Sequence, residues 1–509
     1  MPTLLHEVLS DFSGGTNLRD APLGLAPNDC IGLTNMYPIA GGGVVGRGGQ
    51  SVFNASPISS TPIRSMYRFY KQDGTGVLLA SNGTGMYQAD EATGIFSQIG
   101  GAAYTNDQRF SFTSWSAKDK VYWINGIEPL SSYDGTSGVS VFVGGSPPVG
   151  SQIEFHGDRL WILQNNLVRF SDLNTDDSWP GAAALNIADN RGGAGKFLKS
   201  ANGVLIAGKS TGLWRFEGSP ILGGQLTKYS NVGCVAPWSA SVVSAISASG
   251  QSIPVAVVFL GDDGVYVTNG FDVQLASPKI QASVFTGRFS GAVGKYYPKL
   301  KQYWLSFNPA GAANNTLWVA TTLDRPDGQS IAWANYTGFN LDAFAVFDGG
   351  NDNGEFYGGL STSGTVHQLD TGALDIAATY ECRLASRFCD FGAADKTKSV
   401  RWIKTVFDAR RPVSYLLNYF DRAQFSSGLQ SDNTEGLVWD VGSWDVDTWS
   451  QRQSQNTRTS TLNSGLGRYV NLTLSNTGDG AAFRVDRIEM EAIEKQGGAF
   501  ELFTFNSIP

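Results

Sequence analysis

A glycine-containing hairpin recurs along the middle of the chain, and this repeat limits the possible folds more than any other feature of the sequence. Each copy begins with an apolar strand, turns through a few polar residues and returns as a second strand. Glycine adopts a positive φ without steric cost, so a glycine in each turn is expected to tighten it. The four clearest copies are residues 77–88, 204–215, 257–268 and 356–368, with turn glycines Gly85, Gly212, Gly264 and Gly364.

Looser copies of the hairpin and a series of aromatic residues extend the repeat. The looser copies are residues 120–135, 158–172 and 301–320. The aromatic series is Tyr87, Tyr122, Trp161, Trp214, Tyr266, Trp304 and Tyr357. Its spacing of roughly 35 to 55 residues is typical of propeller blades of four strands. A lone hairpin cannot bury its apolar face, whereas a ring of blades can. The repeat therefore predicts an irregular β-propeller of undetermined blade number, with a β-sandwich or β-solenoid as the alternatives.

The repeat divides the 509-residue chain into three predicted parts. Residues 1–60 are predicted to form a Gly-rich, strand-poor arm, which either lies along a neighbouring subunit or completes a blade. Residues 61–375 are predicted to form the β-propeller, and residues 376–509 a C-terminal, β-sandwich-like platform domain with longer strands. We find no long amphipathic helix, so the predicted class is all-β.

The C-terminal part contains two clear strand patterns and a group of tryptophans. Residues 401–407 and 414–420 are predicted to pair as neighbouring strands, and residues 483–493 alternate with a bulge at Asp486 and Arg487. Trp439, Trp444 and Trp449 are five residues apart, which fits neither a strand nor a helix period. These tryptophans are expected either to pack in a core or to form an interface patch.

Composition and charge argue against several classes of function. The formal net charge is −8, and the chain has no long basic run, which argues against tight binding of nucleic acid. An acidic surface is nevertheless compatible with DNA that slides past without adhering. The sequence predicts neither a signal peptide nor a membrane span.

Cysteine and histidine are too few and too scattered to predict a metal site or a disulfide framework. The four cysteines are predicted to be reduced, mostly buried thiols: Cys30, Cys234, Cys382 and Cys389. Residues 348–354 resemble a calcium loop, but they lack the bidentate glutamate of such a loop and are predicted to form a polar turn. We therefore predict no metal ion and no cofactor.

Two short motifs resemble enzyme signatures without the context that those signatures need. Gly41, Gly43 and Gly46 spell GxGxxG, but no helix-forming segment follows them. Gly208 and Gly212 flank Ser210 in a GxSxG pattern, but a strand follows where a nucleophile needs a helix. We therefore predict no catalytic residue. Two carboxylates that are distant in sequence could still meet in a glycosidase-like cleft.

The N-terminal stretch of residues 11–53 carries a more specific pattern, called the N-terminal motif below. It combines an FxGGxNxRDxP element, a short L-x-N segment and an R-x-G that ends a glycine-rich turn. The motif residues are Phe12, Gly14, Gly15, Asn17, Arg19, Asp20, Pro22, Leu33, Asn35, Arg47 and Gly49. The motif resembles that of the nozzle, or tail tubular B, proteins of short-tailed bacteriophages, and it is specific over roughly the first 50 residues.

The resemblance implies a structural role in a virion. Proteins of this family form a hexameric ring below the portal and adaptor, extend and plug the DNA ejection channel, and anchor fibres or spikes. The implied partners are other copies of the chain, the tail adaptor and the fibre or spike proteins, with DNA passing through without sequence-specific binding. The implied location is the virion tail, after assembly in the host cytoplasm. The alternatives are a receptor- or carbohydrate-binding propeller of a tail and a glycan-degrading enzyme.

Overall fold

The regular secondary structure of the described residues consists almost entirely of β-strands. The computed structural model describes residues 3–101, 103–105, 108–181, 184–248, 251–309, 313–325, 328–346, 354–409, 411, 413–420, 429–430, 456–461 and 466–495. Within these ranges the helical elements are short: α1 (Gln281–Val284) and 3-10 turns at Ser116–Lys118, Pro220–Leu222, Pro237–Ser239, Pro298–Leu300 and Gly480–Ala482. No helix in the described ranges has the length and apolar character needed to cross a membrane.

The chain divides into two compact units, Arg47–Tyr380 and Met1–Gly46 together with Glu381–Pro509. The first 46 residues are not strand-poor, which corrects the prediction for this part of the arm. Their strands are β1 (Leu4–Leu9), β2 (Gly15–Thr16), β3 (Asp29–Thr34), β4 (Met36–Pro38) and β5 (Val44–Gly46).

The unit Arg47–Tyr380 is a β-propeller. Its described residues form six separate four-stranded antiparallel sheets and one further meander of four antiparallel strands, and we number these seven groups blades 1 to 7. The chain first contributes β6 (Gln50–Val52). Blade 1 contains β7 (Ser65–Tyr70), β8 (Gly76–Ser81), β9 (Met86–Asp90) and β10 (Ile95–Gln98). Blade 2 contains β11 (Ser111–Trp115), β12 (Lys120–Ile124), β13 (Ser131–Tyr133) and β14 (Val141–Phe142).

The next four blades repeat the same meander. Blade 3 contains β15 (Gln152–His156), β16 (Arg159–Gln164), β17 (Leu167–Phe170) and β18 (Ala184–Asn186). Blade 4 contains β19 (Phe197–Ala201), β20 (Val204–Lys209), β21 (Gly212–Phe216) and β22 (Thr227–Ser230). Blade 5 contains β23 (Ser241–Ala248), β24 (Gln251–Leu260), β25 (Val265–Thr268) and β26 (Val273–Leu275). Blade 6 contains β27 (Val293–Tyr297), β28 (Gln302–Phe307), β29 (Thr316–Arg325) and β30 (Gly328–Tyr336).

Blade 7 joins the two ends of the propeller. It combines β31 (Leu341–Val346), β32 (Phe356–Leu360) and β33 (Val366–Leu369) with β6 as its fourth strand. In the β33–β6 pair, His367 lies opposite Val52 and Leu369 lies opposite Gln50. The first strand of each blade contacts the first strand of the next, and β31 contacts β7, so the ring is closed. Of the two roles predicted for the arm, completing a blade is the one that residues 50–52 fulfil.

The predicted aromatic series contributes one residue to each of the seven blades. Its members lie on the second or third strand of their blade, from Tyr87 on β9 to Tyr357 on β32. Apolar cores fill the spaces between neighbouring blades, as where Trp161 of blade 3 packs 5.2 Å from Phe216 of blade 4. Fully burying one such side chain contributes about 1.5–3 kcal/mol. The spacing of the series therefore follows the repeat of the blades.

Three of the four turn glycines serve a different purpose from the one predicted. Gly212 has a positive φ of 154°, but Gly85, Gly264 and Gly364 are not among the glycines with positive φ. A Cβ at Gly364 would lie 2.4 Å from the backbone of Ser59, and one at Gly85 would lie 2.9 Å from the Tyr87 ring. A Cβ at Gly264 would lie 2.8 Å from Ser277 Oγ. At all three positions glycine leaves room for a neighbouring side chain or backbone segment that approaches closely.

The described strands of the other unit lie in two sheets. Its strands after the propeller are β34 (Glu381–Ser386), β35 (Thr397–Asp408), β36 (Val413–Tyr419), β37 (Leu429–Gln430), β38 (Asn456–Thr461), β39 (Val470–Thr477) and β40 (Arg484–Lys495). In one sheet β40 pairs with β35 on one edge and with β1 and β5 on the other. In the other sheet β34, β39 and β36 are neighbours, with β3 beside β34. This β-sandwich-like arrangement includes residues 1–46, because β1 and β5 pair with β40 over long sequence separations.

The strand pairing corrects two further predictions and confirms one. The domain boundaries predicted after residues 60 and 375 are replaced by unit boundaries after Gly46 and Tyr380. Strands β35 and β36, predicted to pair with each other, pair instead with β40 and β39. The predicted bulge is confirmed, because the register of β40 skips Asp486 between Val485 and Arg487. The group Trp439, Trp444 and Trp449 lies outside the described residues.

Candidate functional site

A polar cavity of about 140 Å³ lies on the axis of the propeller, between the first strands of the blades. Every blade contributes to its wall. The charged and polar lining includes Arg64, Tyr67, Arg109, Ser111, Gln152, Lys199, Lys295 and Asp342. The cavity can hold a few water molecules or one small ion. Its volume is far too small for a nucleic-acid duplex, whose major groove is already about 12 Å wide.

An aspartate between two arginines occupies one side of the cavity. Arg64 Nη1 donates to Asp342 Oδ2 at 3.0 Å, and Arg109 Nη2 donates to Asp342 Oδ1 at 2.5 Å. Asn314 Nδ2 donates to the same Oδ1 at 2.9 Å, and the Asp342 side chain is 5% exposed. This carboxylate is therefore held by donors on both oxygens and links blades 1, 2 and 7.

Two lysines of blades 4 and 6 also line the cavity. Lys199 Nζ lies 3.3 Å from Glu154 Oε2 and forms an ion pair with it. Within the part of the chain that the structure describes, Lys295 Nζ has neither a carboxylate nor a hydrogen-bond acceptor in contact. Burial, and secondarily the Lys199 ammonium, lowers the pKa of Lys295 to about 8. Lys295 remains partly accessible, because the cavity itself reaches it.

The charges around the cavity do not cancel. The four cations Arg64, Arg109, Lys199 and Lys295 are accompanied by two carboxylates, Asp342 and Glu154, which leaves a local excess of two positive charges. The formal charge of the whole chain is −8. A cationic cluster partly surrounded by protein attracts small anions more strongly than the same cluster in open water, because screening is weaker.

The two axial carboxylates do not have the setting of a glycosidase pair. A general acid must carry a proton toward the leaving group. Here both oxygens of Asp342 accept hydrogen bonds from cationic or amide donors, and Glu154 accepts from Lys199. These contacts are typical of ion pairs that join blades.

The two motifs that resemble enzyme signatures are both hairpins. Gly41 and Gly43 lie in the turn between β4 and β5, and Gly46 ends β5. Ser210 lies in the turn between β20 and β21, and its Oγ donates to the Gly192 carbonyl at 2.8 Å. Both enzyme signatures require a helix directly after the turn. Here the strands β5 and β21 follow instead.

The histidines and cysteines have structural contacts. His156 Nδ1 bonds with Ser200 Oγ at 2.8 Å, and His367 Nδ1 bonds with Gln50 Oε1 at 2.8 Å. The prediction for the cysteines is confirmed, because all four are reduced and buried: Cys30, Cys234, Cys382 and Cys389. The described residues contain no cluster of three or more potential metal ligands. The calcium-like loop at 348–354 lies outside them except for Gly354.

The first half of the N-terminal motif is organised around Asn17. Its Oδ1 accepts from the backbone N–H groups of Arg19 and Asp20 at 3.1 Å each. Its Nδ2 donates to Asp29 at 2.7 Å and to Asp20 at 2.9 Å. A Cβ at Gly14 would lie 2.0 Å from Asp29 Oδ1. The FxGGxNxRD residues therefore form a compact hydrogen-bonded turn.

The second half of the motif, R-x-G, lies in the propeller unit. The Arg47 side chain is 2% exposed and forms a two-pronged ion pair with Asp375, with distances of 2.9 and 2.6 Å. Its guanidinium carbon lies 3.7 Å from the centre of the Tyr380 ring and 4.4 Å from that of Phe339. A Cβ at Gly49 would lie 2.0 Å from the Leu374 carbonyl oxygen. The fold thus requires an arginine at position 47 for the ion pair and a glycine at position 49 for space.

The axial cluster is the feature that sequence reasoning missed. Its members come from the first strands of different blades, or from the residues just before them, and are far apart in sequence. One signal was present: Lys199 and Lys295 stand inside otherwise apolar strands, FLKSA and VGKYY. A lysine in such a strand requires either a partner or access to water.

Comparisons with known proteins give structural likeness only. No protein-family model matches the chain, and a search of curated proteins finds no match. Among solved structures, the chain is similar to YCF48 from Cyanidioschyzon merolae, with a TM-score of 0.40 and 10% identity, over 64% of this chain and 98% of that one. It is also similar to YCF48 bound to D1 peptide, with a TM-score of 0.40 and 15% identity, over 63% and 95%. Likeness at this level identifies neither a family nor a function.

Proposed function

We propose that the chain is a structural, non-enzymatic component of a bacteriophage tail. In this proposal it is a nozzle subunit that forms a hexameric ring, extends and closes the DNA ejection channel and supports fibres or spikes. The observation that carries the proposal is the N-terminal motif, whose residues resemble those of tail nozzle proteins. Its partners would be further copies of the chain, the tail adaptor and the fibres or spikes, in a virion assembled in the host cytoplasm.

Three features of the molecule support this proposal. Motif residues such as Asn17 and Arg47 stabilise the fold through hydrogen bonds and an ion pair, as expected for a structural protein. The axial carboxylates are engaged in ion pairs between blades. The negative net charge of −8 suits a conduit to which DNA should not adhere.

The size of the axial cavity constrains how such a nozzle would conduct DNA. A cavity of about 140 Å³ cannot admit a duplex. The proposed DNA channel therefore runs between the subunits of the ring, along a surface that each copy contributes. The axis of each propeller would remain closed in every state of the tail.

The oligomeric state tests the proposal most directly. Mass photometry of the purified full chain, combined with negative-stain imaging, should find rings of six times 54.5 kDa, about 327 kDa, either alone or after addition of purified tails that lack the protein. Tails that regain infectivity on addition of the chain would support the nozzle role. A chain that stays at 54.5 kDa and does not join purified tail components would rule it out.

A further inference from the structure

We propose that the axial cavity of the propeller is a binding site for a small oxyanion of the phosphate or sulfate class, with the Lys295 ammonium as its central contact and Lys199 and Arg109 beside it. This inference is independent of the proposed role in a tail. It depends on the geometry of the cavity, on the charges that line it and on a lysine that has no partner among the described residues.

The lining provides the groups that an oxyanion requires. Lysine presents three N–H donors and arginine five, so the cationic side chains can surround several oxygens at once. Ser111 and Gln152 add neutral polar groups to the same wall. The cavity volume of about 140 Å³ accommodates one small ion with some water, but not a nucleotide chain or a protein segment.

Lys295 is the residue that distinguishes a binding site from a set of structural ion pairs. Arg64 and Arg109 are bound to Asp342, and Lys199 is bound to Glu154. Among the described residues, the Lys295 ammonium is the cavity cation with no carboxylate in contact, and the Glu154 carboxylate that acts on it through its charge is already paired with Lys199. A partly buried ammonium with no carboxylate in contact destabilises the folded protein. A bound anion would remove this penalty. Anion binding therefore explains why a lysine, rather than an apolar residue, lies at position 295.

Titration of Lys295 provides a test that needs no variant. Its pKa of about 8 means that the ammonium loses its proton as the pH rises past that value, whereas burial raises the pKa of Tyr67, on the same wall, to about 12. The other charged groups around the cavity are Arg64, Arg109, Asp342, Lys199 and Glu154. Sulfate affinity in the wild-type chain should therefore fall between about pH 7 and pH 9.5.

Isothermal titration calorimetry of the full chain with sodium sulfate and sodium phosphate, at constant ionic strength, tests the site. We expect one saturable site per chain in the wild type. Lys295→Met should weaken the affinity about ten-fold or more, since a charge-assisted contact is lost. Lys301→Met is the matched control, because Lys301 belongs to the same blade but is exposed and pairs with Asp324. It should change the affinity by less than about two-fold.

The outcomes separate the alternatives. Chloride at the same ionic strength should not compete, which distinguishes an oxyanion site from a general cationic surface. If wild-type binding is not saturable, or if Lys295→Met binds sulfate as tightly as the wild type, the proposal is wrong. If Lys295→Met does not fold, the pH series on the wild type decides, and an affinity that stays constant through pH 8 overturns the proposal.

Discussion

Replacing Arg47 tests whether the R-x-G of the N-terminal motif serves the closure of the propeller. The Arg47 guanidinium donates to both oxygens of Asp375 and to the carbonyls of Gly48 and Thr337, at distances from 2.6 to 3.0 Å. It also lies over the rings of Phe339 and Tyr380. Arg47→Ala removes all of these contacts and leaves Asp375, whose side chain is 12% exposed, without its counter-charge.

The expected loss of stability is large because the pair is buried. Breaking a buried ion pair by removing one partner costs about 3–5 kcal/mol. Arg47→Lys keeps the charge but loses the planar fork and the stacking, so most of the loss should remain. Arg47→Ala combined with Asp375→Asn should cost less than the sum of the two single changes, with a coupling of about 0.5–3 kcal/mol.

Hydrogen exchange with mass spectrometry measures this effect locally, which matters because a chain of two compact units does not unfold as a single two-state system. Peptides covering residues 47–54 and 366–380 report on β6, β33 and the segment that holds Asp375. A loss of about 3–5 kcal/mol lowers their protection by about two to three and a half orders of magnitude. The control is Arg288→Ala, which removes an exposed pair with Asp262 and should cost no more than about 1 kcal/mol. Equal protection in the Arg47 and Arg288 variants would refute the reasoning.

Three further predictions follow from the same structure. Gly49→Ala should lower the free energy of unfolding by about 1–3 kcal/mol, because its Cβ would meet the Leu374 carbonyl. A Cβ at Gly291 meets no atom within 4 Å, so Gly291→Ala should be neutral. Thermal unfolding midpoints of the two variants test the difference. The four buried thiols should resist a thiol-reactive dye at pH 8 and all react in denaturant, since burial raises the pKa of Cys234 and Cys389 to about 12; rapid labelling of the native chain would contradict this. Burial lowers the pKa of Lys295 from 10.5 to about 8, so between these values the unfolded chain binds more protons and this residue's contribution to stability rises with pH. The stability gained by Lys295→Met in anion-free buffer should accordingly shrink between about pH 8 and pH 10.5, and a difference that does not vary with pH would show that Lys295 is not buried as a charge.

The strands of the propeller were predictable because their signal is local. A hairpin brings together residues that are close in sequence, so alternating apolar residues and a turn define it without knowledge of distant partners. All four clear copies and the three looser ones correspond to paired strands. The number of blades was not predictable, because the fourth strand of blade 7 lies at Gln50–Val52, in a glycine-rich segment without a clear pattern.

The failures concern pairings between distant residues. Strand β1 was missed because its partner β40 lies at the other end of the described chain. Strands β35 and β36 were assigned to each other because they are adjacent in sequence, yet each has its partner elsewhere. The axial cavity escaped prediction for the same reason, since its wall draws one or a few residues from each of the seven blades.

Completing blade 7 with β6 sets a time limit on folding during synthesis. Gln50 pairs with Leu369, about 320 residues later, so the first propeller strand to leave the ribosome waits for nearly the whole unit. At about 5–20 residues per second that wait is roughly 15 to 65 s. During this interval the inner blades can form from local hairpins, while the edge of the incomplete ring stays open to other strands. A cell making many copies at once would therefore risk mispairing between nascent chains at this edge. Early capture of β6 by a chaperone would reduce that risk.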